Sequence, residues 1–182
     1  MCIRDRSIFD PEKLTWINGV HIREMDEEKL SIIVKEKVNL NTNETENVSE
    51  SDFIKITSLI RERIKSLDEI YPLIKFFFEY EEPEIKLIKC SELNSEEVKK
   101  LLEDLINDFK ELDSKNINNS SGIEDLLRRN SKELNLKVRD YLSLVRNCIT
   151  GSEISPPLFE AIEILGISES ISRLNGCLNK IS

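Results

Sequence analysis

Residues 145–160 read Val-Arg-Asn-Cys-Ile-Thr-Gly-Ser-Glu-Ile-Ser-Pro-Pro-Leu-Phe-Glu. The stretch reads as the end of one helix, a tight turn and the capped start of another. Thr150-Gly151 fits a helix C-terminus, because glycine supplies the left-handed residue that ends it. Ser155 fits an N-cap, with Pro156 at the first helical position, where a missing N–H costs nothing. Arg146 lies close to the break. A cation, backbone N–H groups and a hydroxyl then sit together, which suits a base edge or a phosphate. On local chemistry alone, an ordinary helix–turn–helix corner is the favoured reading.

Working outward, the same period continues upstream. Val138, Tyr141, Leu142, Val145, Cys148 and Ile149 form one apolar stripe, and Val98, Leu101, Leu102, Leu105, Phe109 and Leu112 form another. Asn94 with Glu97, and Ser121 with Glu124, match the capping-box spacing at the starts of helices. A last pair of helices begins at Ser155 and near Ser168, with Gly166 between them. In the first half, Asp10-Pro11 opens a short helix that Asn18-Gly19 ends, and residues 20–25 form a further turn or short helix. Asp26 caps a helix to about Val38; residues 39–51 are polar and aperiodic and read as a loop; helices follow at about 52–66 and 67–80. The expected fold is all-α, a bundle of roughly eight to ten helices.

Domain boundaries are read as follows. Residues 1–7, opening Met-Cys-Ile-Arg-Asp-Arg, fit nothing that follows and read as a non-native leader. Glu81-Glu82-Pro83 breaks the helical pattern, giving subdomains at 8–83 and 84–182.

Bulk composition narrows the function. Of 182 residues, 39% are hydrophobic and 34% charged, which marks a globular chain and not a disordered one. No run approaches a transmembrane helix, so no membrane association is expected. Cys2, Cys90, Cys148 and Cys177 are far apart and His21 is the sole histidine, so no metal site and reduced thiols in the cytoplasm are expected. No Walker A loop, G-x-G-x-x-G or H-E-x-x-H occurs, and His21 has no nucleophile beside it; no catalytic residue is assigned. The net charge of −9 argues against nucleic acid. Residues 126–150 run the other way, with cations at Arg128, Arg129, Lys132, Lys137, Arg139 and Arg146 against anions at Glu133 and Asp140. Arg139 and Arg146, seven residues apart, share a helix face and are expected to be exposed.

Two motifs carry a family resemblance. Phe9-Asp10-Pro11-Glu12-Lys13-Leu14 with Trp16, Asn18, Gly19, Ile22 and Arg23 resembles the segment after the catalytic core of bacterial-type (class I) glutamyl-tRNA synthetases. His21 replaces that pattern's usual tyrosine. Arg146, Thr150-Gly151, Ser155-Pro156, Leu158-Phe159-Glu160 and Leu165-Gly166 resemble the family's Pro-Leu-Arg-x-Ala-Leu-Thr-Gly … Phe-Glu … Leu-Gly signature, with Leu144 where proline is usual. Between them, Arg61-x-Arg63 followed by Leu67 is similar to an arginine-bearing helix end.

The resemblance implies the C-terminal anticodon-binding region of a glutamate–tRNA ligase, an α-helical cage in two subdomains, as a fragment without the catalytic domain. It implies tRNA-Glu as partner, a fused upstream catalytic domain that uses ATP and Mg²⁺ to attach glutamate to tRNA, no cofactor in these residues, and a cytoplasmic monomer inactive by itself. Arg63 carries over as the reader of the third anticodon base, with Arg61 as its alternative under a shift of two; Arg146, Ser155, Pro156 and Leu158 carry over for the first two bases. Lys137 matches a lysine near the same surface, and Arg139, Arg128 and Arg129 are candidate tRNA backbone contacts. The rival reading is a free-standing helical interaction module that has lost RNA binding.

Overall fold

A computed structural model describes residues 10–42, 48–89 and 93–181. The leader reading, Cys2, Cys90 and the middle of the 39–51 loop lie outside these residues. Among them the fold is all-α, with nine α-helices and no strand. In order they are α1 (Pro11–Glu24), α2 (Glu27–Asn39), α3 (Glu50–Arg61), α4 (Ile70–Ile74), α5 (Ser95–Ser114), α6 (Ser120–Glu133), α7 (Val138–Thr150), α8 (Leu158–Leu165) and α9 (Ile167–Ile181). Single 3₁₀ turns occupy Leu67–Glu69, Lys75–Phe77 and Ile85–Ile88.

Buried apolar side chains gather in two clusters. One, built on α2, α3 and α4, includes Leu30, Val34, Phe53, Ile56, Ile60 and Ile74. The other, built on α5 to α9, includes Leu102, Leu105, Phe109, Tyr141, Val145 and Leu174. The helix stripes legible in the sequence supply nine of the twenty buried residues of the second cluster, and α5 packs along α9 within it. Ile164 of α8 reaches across to the first cluster, so the two share a seam at α3 and α8.

Caps fix where the elements begin. Asp10 and Asp26 accept backbone N–H groups of the first turns of α1 and α2. Asn94 and Glu97 form the expected reciprocal capping box at α5. Four sequence expectations need correction. Asn18-Gly19 does not end α1; Gly19 is buried in mid-helix, where an added Cβ would stand 3.5 Å from Lys65 Cγ and 3.7 Å from its Cα. Those are ordinary contact distances, so the helix carries this glycine at its usual cost of about 1 kcal/mol without a close approach that requires it. The helix expected over 67–80 is broken into three short pieces, because Pro72 lacks the N–H needed to continue the ladder from Leu67–Glu69. The start of α6 is capped by Asn119, not Ser121: Asn119 Oδ1 accepts the Gly122 N–H at 2.9 Å, and Glu163 of α8 accepts the Ser120 N–H at 2.7 Å. Ser155 does not cap α8, which begins at Leu158 with Pro157 before it. Ser155 and Pro156 each precede a proline, and that position disfavours the helical conformation.

The α7 terminus is as expected. Gly151 is left-handed (φ 71°, ψ 4°) and its N–H returns to the Asn147 carbonyl at 2.9 Å. A Cβ there would lie 2.3 Å from the Glu81 carbonyl oxygen. Gly151→Ala therefore meets both a conformational cost and a clash with backbone, and is expected to destabilise by at least about 2 kcal/mol in equilibrium urea denaturation. A second prediction concerns Tyr80 and Tyr141, whose phenols are pushed above their ordinary value chiefly by burial. Above about pH 10 the unfolded chain loses protons that the folded chain keeps, so stability falls as pH rises, by up to roughly 1.4 kcal/mol per pH unit for each tyrosine. Denaturation at stepped alkaline pH should show that slope, and Tyr141→Phe should flatten it.

Candidate nucleic-acid interface

The corner after α7 and the end of α3 meet at one place. Thr150 Oγ1 donates to the Arg146 carbonyl at 2.9 Å and accepts the Ser152 N–H at 3.3 Å, closing the turn. Arg63 follows α3 in a tight turn and its Nη1 donates to the Ser155 carbonyl at 3.1 Å. Arg146, half-buried on α7, has a guanidinium held below its ordinary pKa, first by desolvation and then by the Arg63 charge nearby. Its Nε is buried and has no hydrogen-bond partner among the described residues. Two cations crowd one spot, and one of them has a donor to spare.

Beside Arg63 opens a cleft of ≈ 860 Å³ lined also by Ser66, Asp68, Glu69, Pro72, Leu73, Ser152 and Ile154. Its apolar wall includes Ile154, which is 77% exposed. Asp68 is paired with Lys37 at 2.8 Å, and that hydrogen bond and charge hold its carboxyl below the usual range. Glu69 accepts the Lys65 N–H at 2.9 Å. Chemically, the cleft offers the Arg63 guanidinium at one edge and the apolar side chains of Pro72, Leu73 and Ile154 beside it. That combination suits an unstacked base, which presents a polar edge and an apolar face.

The sequence-assigned residues divide. Arg63, Arg146 and Ser155 come together here. Ser155 and Pro156 are buried, as is Leu158. The Ser155 hydroxyl is spent on the Pro156 carbonyl at 3.0 Å. Arg61 faces elsewhere: its guanidinium donates to the Arg23 and Met25 carbonyls at the end of α1. Lys137 is at the N-cap of α7 and Arg139 is in its first turn, both exposed. Arg146 is less exposed than the shared face with Arg139 suggests, because the corner packs over it. Arg128 and Arg129 lie on α6, paired with Glu124 at 2.6 Å and Glu133 at 3.7 Å, and Arg128 also stands over the Phe159 ring.

Sequence reading missed Arg173 and the cleft walls. Arg173, on α9 and only 5% exposed, donates to the Ile149 carbonyl at 2.8 Å and the Phe76 carbonyl at 2.9 Å. It also pairs with Glu169 at 2.7 Å and stacks 4.3 Å from the Tyr80 ring centroid. Its i,i+4 Glu partner was visible in the sequence, but that spacing is equally typical of a solvated helix face. Ile154 carried no motif at all.

Residues 24–178 match the family model described as the anticodon binding domain. The chain belongs to the anticodon-binding domain family. Its similarity to glutamate–tRNA ligase 2 of Thermosipho melanesiensis is 32% identity over 181 residues, covering 94% of this chain and 37% of that protein. Glutamate–tRNA ligase 2 of Caldicellulosiruptor saccharolyticus is 31% identical over 183 residues, covering 97% and 36%. The chain thus spans a little over a third of the length of these relatives. Its fold is similar to that in a crystal structure of a glutamate tRNA ligase from Elizabethkingia meningosepticum, with a TM-score of 0.80 at 24% identity, over 96% of this chain and 33% of that one.

Arg173 tests how the interface is held. Replacing it by leucine leaves the Ile149 and Phe76 carbonyls unpaired in the interior, and is expected to cost about 3 kcal/mol or more. Arg173→Lys should recover only part, since an ammonium lacks the planar fork. Urea titrations of both variants check the order.

Proposed function

We propose that this chain binds tRNA-Glu as the anticodon-reading part of a glutamate–tRNA ligase. The observation that carries the reading is Arg63 at the edge of an apolar-walled cleft with the half-buried Arg146 near enough to feel its charge, the Arg146 Nε having no partner among the described residues. Crowding two cations is unfavourable in the free protein and is relieved by an acceptor-rich ligand. Arg63 reads the third anticodon base; what supports it over Arg61 is that Arg61 is already committed to two backbone carbonyls. Arg146 and the 155–158 backbone meet the first two bases. Lys137 and Arg139 approach the phosphates, and Arg128 and Arg129 do so more weakly because their own helix partly neutralises them.

The parent reaction is ATP-dependent attachment of glutamate to tRNA, by a catalytic domain fused upstream that holds ATP and Mg²⁺. Among the described residues no group of three or more His, Cys, Asp or Glu side chains could hold a metal ion. No described helix is long and apolar enough to cross a membrane. The same reading makes the protein a cytoplasmic monomer, and the chain alone is expected to catalyse no aminoacylation.

Filter binding at low salt tests the proposal. The chain should prefer tRNA-Glu to an unrelated tRNA, and its affinity should fall as salt rises, as phosphate contact requires. Arg146→Ala should weaken binding by roughly tenfold or more, the worth of a charged hydrogen bond. Arg63→Gln should relax discrimination at the third anticodon base by about 1–3 kcal/mol while other positions keep theirs. Equal binding of both tRNAs would instead favour a helical module that has lost RNA recognition.

A further inference from the structure

Opposite charges border one cleft without meeting. Arg63 and Glu69 both line it, yet among the described residues no ion pair joins them. Backbone holds each instead. Arg63 Nη1 donates to the Ser155 carbonyl at 3.1 Å, and Glu69 Oε2 accepts the Lys65 N–H at 2.9 Å. The Lys65 bond belongs to the turn in which Ser66 Oγ accepts the Asp68 N–H at 3.3 Å, so one oxygen fixes the Glu69 carboxylate at the Leu67–Glu69 3₁₀ turn. Its other oxygen has no hydrogen-bond partner among the described residues. Closing the turn accounts for one acceptor of Glu69 and leaves the second to the cleft.

We propose that Glu69 is a second specificity-determining residue of this cleft, accepting the amino group of a cytosine whose acceptors bond to Arg63. The proposal rests on the tRNA reading above and deepens it. Glutamate codons begin with guanine, so the third anticodon base of tRNA-Glu is cytosine. A phosphate does not suit the cleft, because Asp68 and Glu69 both line it and repel an anion. A neutral planar group does suit it, set against Pro72, Leu73 and Ile154. Cytosine presents an amino donor and, next to it, a ring nitrogen and a carbonyl oxygen that accept. A carboxylate takes the first and a guanidinium the others.

Uracil and guanine carry a carbonyl oxygen where cytosine carries the amino group. In the same seat that oxygen sets lone pairs against the fixed carboxylate, and neither can donate. Every one of these bases still offers Arg63 an acceptor. Glu69 therefore adds rejection of the wrong base to what Arg63 selects.

The test is filter binding at low salt with the full chain. It uses tRNA-Glu transcripts whose third anticodon base is cytosine, uracil or a pyrimidinone that is cytosine without its amino group. The unsubstituted chain should bind the cytosine transcript about tenfold or more tighter than either other, the worth of a charged hydrogen bond. Glu69→Gln keeps an oxygen for the Lys65 N–H and turns the free acceptor into an amide donor. It should leave the melting temperature unchanged and lower the cytosine-to-uracil affinity ratio by about tenfold. The ratio is the readout, since removing a carboxylate strengthens all RNA binding through charge alone. An unchanged ratio in Glu69→Gln, with tRNA-Glu still preferred to an unrelated tRNA, would overturn the role of Glu69 and leave the tRNA reading standing. Equal binding of the cytosine and pyrimidinone transcripts by the unsubstituted chain would do the same, and needs no variant to fold. Loss of the tRNA-Glu preference in the unsubstituted chain would remove the tRNA reading and this proposal with it.

Discussion

The guanidinium of Arg173 is the joint on which both halves of the structure rest. It is buried on α9, yet its donors reach the Ile149 carbonyl in the last turn of α7 and the Phe76 carbonyl of the first half. The last carbonyls of a helix have no partner within it, and a buried one must find a donor elsewhere. One planar fork satisfies an orphan in each half, which a hydrophobic residue of equal volume could not do. Burying the charge is costly. The cost is offset because Glu169 pairs with Nε and the Tyr80 ring covers the face. The orientation of the α7 terminus thus depends on α9 and on the 76–80 segment together, and so does everything that follows Gly151.

That fixed terminus also places Arg146 within reach of the Arg63 charge. Arg146 cannot swing fully into water because it is half-buried, and Arg63 is pinned to the Ser155 carbonyl. Among the described residues neither cation forms an ion pair with a carboxylate, whereas Arg128, Arg129 and Arg173 each do. In a chain of net charge −9, unneutralised cations side by side are a focused positive spot in a negative field. A field of that kind repels polyanions everywhere except where the backbone brings cationic donors together. Overall charge then argues for selectivity, not against RNA.

Much of this was legible before any coordinates. The 3.6-residue stripes of α5 and α7 face inward as their spacing requires, and Asp10, Asp26, Asn94 and Gly151 cap as their chemistry requires. Failures occurred where a local signal competed with a distant partner. Asn119, Ser120 and Ser121 could each cap α6, and Glu163 from α8 decided between them by taking the Ser120 N–H. Gly19 carries the mark of a helix stop, but α1 runs through it to Glu24. The double proline after Ser155 was readable and misread: each proline restrains the residue before it, so the helix had to wait for Leu158. Arg173 and Ile154 belong to another class, since what matters in them is which carbonyl or cleft stands opposite, and no local pattern encodes that.

Arg61 and Arg63 show how far residue type falls short of role. They are two positions apart at the end of one helix, and a sequence alignment off by two exchanges them. The fold separates them by what the backbone leaves unsatisfied. Where α1 stops, the Arg23 and Met25 carbonyls lack a partner, and Arg61 is the side chain within reach. Committed there, it is a strut between α1 and α3. Arg63 follows two positions later, with one hydrogen bond, to the Ser155 carbonyl in the corner after α7. It also lines the cleft beside that corner. The same guanidinium is structural where it completes the backbone and available for recognition where the backbone has already been completed by others.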